Sequence, residues 1–120
     1  MVCKLCYKDF SVLFTGDIEE IAEKQILQEY RNDLGVLKST VLKVAHHGSR
    51  TSSIDEFIEA AKPQIALIGV GKNNTFGHPN DEVIERLNDC ETRIYRTDKS
   101  GEISLSVDKK REIKIKKFID

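Results

Sequence analysis

The stretch that most constrains this chain is Thr40–Ser49, TVLKVAHHGS. Val41, Leu42, Val44 and Ala45 make a short apolar run of the kind that forms a buried strand. The run stops abruptly at His46, His47, Gly48 and Ser49. A second run, IALIGV within Gln64–Val70, has the same character and feeds the loop GKNNTFGHPN. Strands apolar on both sides belong to the interior of helix-covered sheets. Polar residues at the carboxyl end of such a strand stand where α/β folds keep their chemistry.

The flanking segments fit that frame. Residues 2–15 read as two strands joined by a tight turn at Lys8-Asp9, rich in β-formers and ending in Thr15-Gly16-Asp17. Ile18, Ile21, Ala22, Ile26, Leu27 and Tyr30 recur at helical spacing, with Glu19, Glu20, Glu23 and Glu29 on the opposite, polar side. Asp17 and Glu20 also read as a capping box opening this helix, and Ser53 with Glu56 as another before Phe57 and Ile58. The second helix stops ahead of Pro63. Asn80 can cap a third, carrying Val83, Ile84 and Leu87. A short strand over 92–97, a turn at Asp98–Gly101, an alternating strand at Ile103, Leu105 and Val107, and a basic strand-like tail follow. The sequence therefore predicts an α/β domain: a hairpin, helix and strand alternating three times, then antiparallel strands.

Composition sets outer bounds. With 39% hydrophobic and 32% charged residues over 120 positions, the chain has the content of one globular domain. Its net charge of −1 gives no global pull towards nucleic acid. No apolar run has the length of a bilayer span, and MVCKLCYKDF lacks a signal-peptide pattern. Cys3, Cys6 and Cys90 are an odd set without a second CxxC, so Cys3 and Cys6 read as small buried hydrophobes on opposite faces of a strand.

The chemistry lies in the loops that follow three of the expected strands. They begin with Gly16-Asp17, with His46-His47-Gly48-Ser49, and with Asn73-Asn74 ahead of Gly77-His78-Pro79. Imidazoles and a carboxylate suit zinc, and also manganese or iron. Neighbouring strands would bring these loops together. Lys109, Lys110, Arg111, Lys114, Lys116 and Lys117 form a basic cluster, either an edge strand protected from aggregation or a phosphate-contact surface.

LFTGD at 13–17, LKVAHHGS at 42–49 and GKNNTFGHP at 71–79, in this order, resemble the metallo-β-lactamase-fold hydrolases. With YRTDKSGEI at 95–103, they resemble in particular the C-terminal hydrolase-like domain of the ComEC family of competence DNA-uptake proteins. The resemblance implies the C-terminal half of an αββα metallo-β-lactamase fold, a mixed sheet with helices packed on one face. It implies a single partial domain over 1–120, excised from a longer protein. It also implies a parent that hydrolyses phosphodiesters with two divalent metals, zinc or manganese. Asp17 would bridge the metals and His47 would ligate one. His46, His78 and Asn74 would act beside the substrate.

That family's HxHxDH segment is absent, so the chain alone is expected to bind metal weakly and to be inactive. Its missing N-terminal half is the expected partner. An apolar sheet face left uncovered is expected to show as partial self-association or an exposed hydrophobic patch. The parent is expected to be a bacterial membrane protein with this domain in solution, and DNA a possible ligand. Two other readings stand: a non-catalytic nucleic-acid-binding module using Lys109–Lys117, and a stand-alone cytoplasmic hydrolase of small molecules.

Overall fold

A computed structural model describes residues 1–119. Strands β1 (Cys3–Tyr7) and β2 (Phe10–Phe14) pair antiparallel around the Lys8-Asp9 turn, where Lys8 adopts a left-handed conformation. Helix α1 (Glu20–Glu29) and one 3₁₀ turn at Leu34–Leu37 lead into β3 (Val41–Lys43). Helix α2 (Asp55–Ala61) leads into β4 (Ile65–Ile68), and α3 (Asp81–Asp89) into β5 (Arg93–Arg96). A single helical turn, α4 (Thr97–Ser100), takes the place of the expected simple turn. Strands β6 (Ile103–Val107) and β7 (Ile113–Lys117) close the chain as a separate antiparallel pair.

The main sheet has the order β1-β2-β3-β4-β5, antiparallel at the first pairing and parallel in the other three. Each face has its own core. On one, Leu13, Leu42, Val44, Ala66 and Ile68 pack against Phe57, Ile58, Val83 and Leu87 of the helices. On the other, Phe10, Val41 and Ile65 meet Leu105, Val107, Ile113 and Ile115 of the β6–β7 pair. The protein is thus a mixed α/β fold with its helices on one face, as the alternation of elements predicts. The second face is not left bare as expected, because the terminal hairpin covers its centre. What remains exposed is a strip at the outer edge: Leu5, Tyr7 and Phe14, at 60%, 40% and 43% exposure. The same edge position explains why Cys3 and Cys6 are exposed rather than buried. β1 lies outside the ground covered by either layer.

Both expected capping boxes are absent. Helix α1 starts at Glu20 behind Glu19, with no side-chain cap, and Asp17 lies too far upstream. Helix α2 also has no cap from its own segment. The two residues just ahead of it are instead bound by Glu23 of α1, whose carboxylate accepts from Ser53 N–H at 2.6 Å and Ile54 N–H at 3.0 Å. Glu23, placed on the polar face by its sequence, is therefore fully buried. Arg86 of α3 donates to the Ser52 and Ser53 carbonyls beside it. Burial pushes the Glu23 carboxyl up from its ordinary value, and the two backbone bonds and Arg86 pull it back. Asn80, by contrast, caps α3 as expected, accepting from Glu82 N–H at 3.0 Å.

Glu23→Ala strands two buried N–H groups, each worth about 1–3 kcal/mol when left unpaired. Urea unfolding is expected to show a loss of about 2–5 kcal/mol, and a smaller one for Glu23→Gln, which keeps an acceptor oxygen. Equal stability of Glu23→Ala and the wild type would contradict this role for Glu23.

Candidate functional site

Because β2, β3 and β4 run parallel and in register, their carboxyl ends lie side by side. Phe14 pairs with Lys43 and Lys43 with Leu67, so the chain leaves all three strands at one sheet edge. The edge is tied together by the backbone. Thr15 Oγ1 donates to the Lys43 carbonyl at 2.5 Å. His46 N–H donates to Gly16 O at 2.9 Å, joining the loop after β3 to the one after β2. Asn80 N–H donates to Gly48 O at 2.8 Å, joining it to the end of the long loop after β4. Gly48 has φ +84°, and a Cβ there would fall 2.5 Å from Pro79 Cβ. Only glycine allows this approach.

His46 and His47 are both left-handed, at φ 51° and 55°. Each such residue costs about 1–2 kcal/mol and persists only where its surroundings impose it. The effect is to turn the two imidazoles different ways. His47 is exposed, and its Nδ1 donates to Gly69 O at 2.5 Å. In a neutral ring that bond places the proton on Nδ1 and the lone pair on Nε2, the tautomer in which imidazole ligates metals through Nε2. His46 is half-buried. Its Nδ1 lies 3.4 Å from Glu19 Oε1 without hydrogen-bond geometry, a buried polar atom with no partner. Its ring meets His78 edge-on at 5.7 Å between centroids. Phe76 stacks on His78 at 5.7 Å between centroids. Burial and the two neighbouring imidazoles hold His78 below the ordinary histidine value.

Asn74 serves its own loop. Its amide nitrogen donates to Gly71 O and His78 O, and its oxygen accepts from Phe76 N–H and His78 N–H. It therefore positions the loop that carries His78. Asp17 is exposed at the same edge. Lys43, the one charged residue inside the β3 run, reaches this region. Its Nζ lies 3.5 Å from where a Cβ on Gly69 would be, and burial lowers its pKa while the Asp17 carboxylate raises it. Glu19 and Lys43 were not singled out from sequence. A charged residue in an otherwise apolar strand was the available signal for Lys43.

The basic cluster is divided between two elements. Lys114 and Lys116 pair with Ser106 and Ser104 on the outer side of β7. Lys109, Lys110 and Arg111 lie in the β6–β7 turn, where Arg111 is 3.1 Å from Asp9.

Among the described residues, no three His, Cys, Asp or Glu side chains are grouped closely enough to hold a metal ion. Asp17 and the Nε2 of His47 have the chemistry of ligands but not the number.

The fold and this edge define a mixed α/β domain with a polar cluster at the carboxyl ends of parallel strands. No family model and no solved structure matches the chain. It is 40% identical over 93 residues to "ComE operon protein 3" of Bacillus subtilis (strain 168), covering 78% of the chain and 12% of that protein. It is 34% identical over 97 residues to "Competence protein ComA" of Neisseria gonorrhoeae, covering 81% and 14%. It is 35% identical over 96 residues to "Recombination protein 2" of Haemophilus influenzae, covering 80% and 11%. The chain thus spans between 11% and 14% of these relatives' lengths. Among the described residues no helix is long and apolar enough to cross a membrane.

The His78 environment gives a signed pH effect. The folded pKa is depressed below 6.5, so as pH falls the unfolded chain takes up the proton first. Its contribution to stability is present above the unfolded value and is lost as pH falls towards the folded one. NMR titration of the His78 ring is expected to give a midpoint below 6.5, rising in His46→Gln as the neighbouring imidazole is removed. A midpoint at or above 6.5 would contradict the packing described.

Proposed function

We propose that this chain is part of the hydrolase-like domain of a competence DNA-uptake protein, and that the β2–β3–β4 edge supplies part of a metal-dependent phosphodiesterase site. One observation carries the reading: backbone hydrogen bonds join the loops of Asp17, His46–Gly48 and His78–Asn80 at one edge, with the Nε2 of His47 left free. Asp17 and His47 would then be ligands to zinc or manganese. The remaining ligands would come from outside the described residues, and the isolated chain would hold the ion weakly. His46 and His78 would face the substrate, with Asn74 holding the loop of His78. The similarity to proteins named for competence and recombination supports DNA as the substrate class, in a parent anchored in the bacterial membrane.

The exposed Leu5–Tyr7–Phe14 strip supports a further part of the reading. It would pack against the other half of an αββα domain, and copies of the isolated chain would associate through it.

The test uses the longer parent that this reading requires, assayed on labelled single-stranded DNA with manganese or zinc. Asp17→Asn and His47→Ala are each expected to lower the rate by about 10²-fold or more, since a metal's contribution is several kcal/mol. Unchanged rates in both variants would overturn the proposal.

A further inference from the structure

The amino ends of the same strands form a second polar region. A cleft of about 420 Å³ opens there, lined by Lys4, Lys8, Lys38, Lys62 and one carboxylate, Asp9. Asp9 is 3.1 Å from Arg111, so its charge is already matched. In a chain of net charge −1, this is a local excess of positive charge.

The usual reason for lysines around a sheet does not cover this set. Lysines on an edge strand block sheet-to-sheet pairing. Lys38 and Lys62, however, come just before β3 and β4, which are interior strands. Both are exposed, and neither forms an ion pair or a side-chain hydrogen bond among the described residues. Lys4 and Lys8 are held in place: their ammonium groups donate to Val36 O at 2.9 Å and Lys109 O at 3.0 Å. Each keeps protons to spare, because an ammonium has three donors. Fixing these charges beforehand reduces the ordering cost of binding an anion. The bond from Lys8 also brings the β6–β7 turn, with Lys109 and Lys110, to the rim. Cations therefore continue beyond the cleft.

We propose that this cleft binds the phosphate backbone of a nucleic-acid strand, at the opposite end of the sheet from the His–Asp edge. A run of cations extending out of a cleft matches a polyanion better than a single small oxyanion. Its concave form matches a strand better than a flat lipid surface. Strand β2 has five residues, which at about 3.3 Å each sets the two regions on the order of 15 Å apart. The cleft stands on its own geometry: fully active Asp17 and His47 variants would defeat the proposed hydrolase and leave this binding untouched.

The test is fluorescence anisotropy with a labelled oligothymidylate across a salt series. The wild-type chain is expected to bind with affinity that falls as salt rises. The double variant Lys38→Gln/Lys62→Gln should bind at least about tenfold more weakly. Its log–log salt slope should be shallower by about 1.4, at roughly 0.7 per cation for single strands. Lys114→Gln/Lys116→Gln, on the outer side of β7, should leave both unchanged. Circular dichroism checks that the variants are folded, and amide shifts of Lys38 and Lys62 on adding the oligonucleotide give a second readout in the wild type. Absence of wild-type binding would overturn the proposal. So would an unchanged affinity and slope in Lys38→Gln/Lys62→Gln, an equal loss in the β7 variant, or binding to phosphatidylglycerol vesicles but not to the oligonucleotide.

Discussion

Everything in this molecule depends on the parallel, in-register pairing of β2, β3 and β4. Parallel pairing needs a crossover between successive strands, and here each crossover is a helix on the same face. The pairing makes the two ends of the sheet chemically different. All the carboxyl ends open into the loops of Asp17, His46, His47 and His78. The amino ends collect Lys8, Lys38 and Lys62. A short alternating sequence of strand and helix thus separates imidazoles and an acid from a group of ammonium ions.

The carboxyl edge is held by main-chain bonds more than by side chains. His46 N–H to Gly16 O and Asn80 N–H to Gly48 O close the gaps between loops, and Gly48 packs against Pro79 without a side chain. Two left-handed histidines are the consequence. Their strain is imposed by bonds on both sides of the turn, which leaves one imidazole pinned to Gly69 O and the other against His78. The helical layer is stabilised in a similar way across segments. Glu23 binds the amides of Ser53 and Ile54 just ahead of a helix other than its own, and Arg86 binds the carbonyls of the same turn.

Much of this was legible in the amino-acid order. The apolar runs at Val41–Ala45 and Ile65–Val70 identify interior strands, because they are short, apolar on both sides and bounded by turn residues. Asn80 capping α3 follows from local chemistry alone. The misreadings concern features set by contacts between distant segments. Asp17–Glu20 and Ser53–Glu56 have the spacing of capping boxes, but Ser53 N–H, just ahead of α2, is bound by a carboxylate thirty residues upstream, at a distance no local pattern reports. Glu23 looked solvated for the same reason. Cys3 and Cys6 have the alternation of a buried strand, but exposure is set by what packs over β1. The amino-end cleft was invisible because Lys4, Lys8, Lys38 and Lys62 are scattered in sequence and meet only through the sheet. The basic cluster at 109–117, conspicuous in sequence, divides between a turn and the outer side of β7.

The central claim is that Asp17, His47 and His78 share one sheet edge. Paramagnetic broadening of backbone amides by added manganese tests it directly in the chain itself, even where the ion binds weakly. The account predicts that the amides of Gly16–Asp17, His46–Gly48 and Gly77–His78 broaden together at low manganese, while those of Lys38 and Lys62 remain sharp. Broadening of only one of these loops, or of the lysine end first, would contradict it.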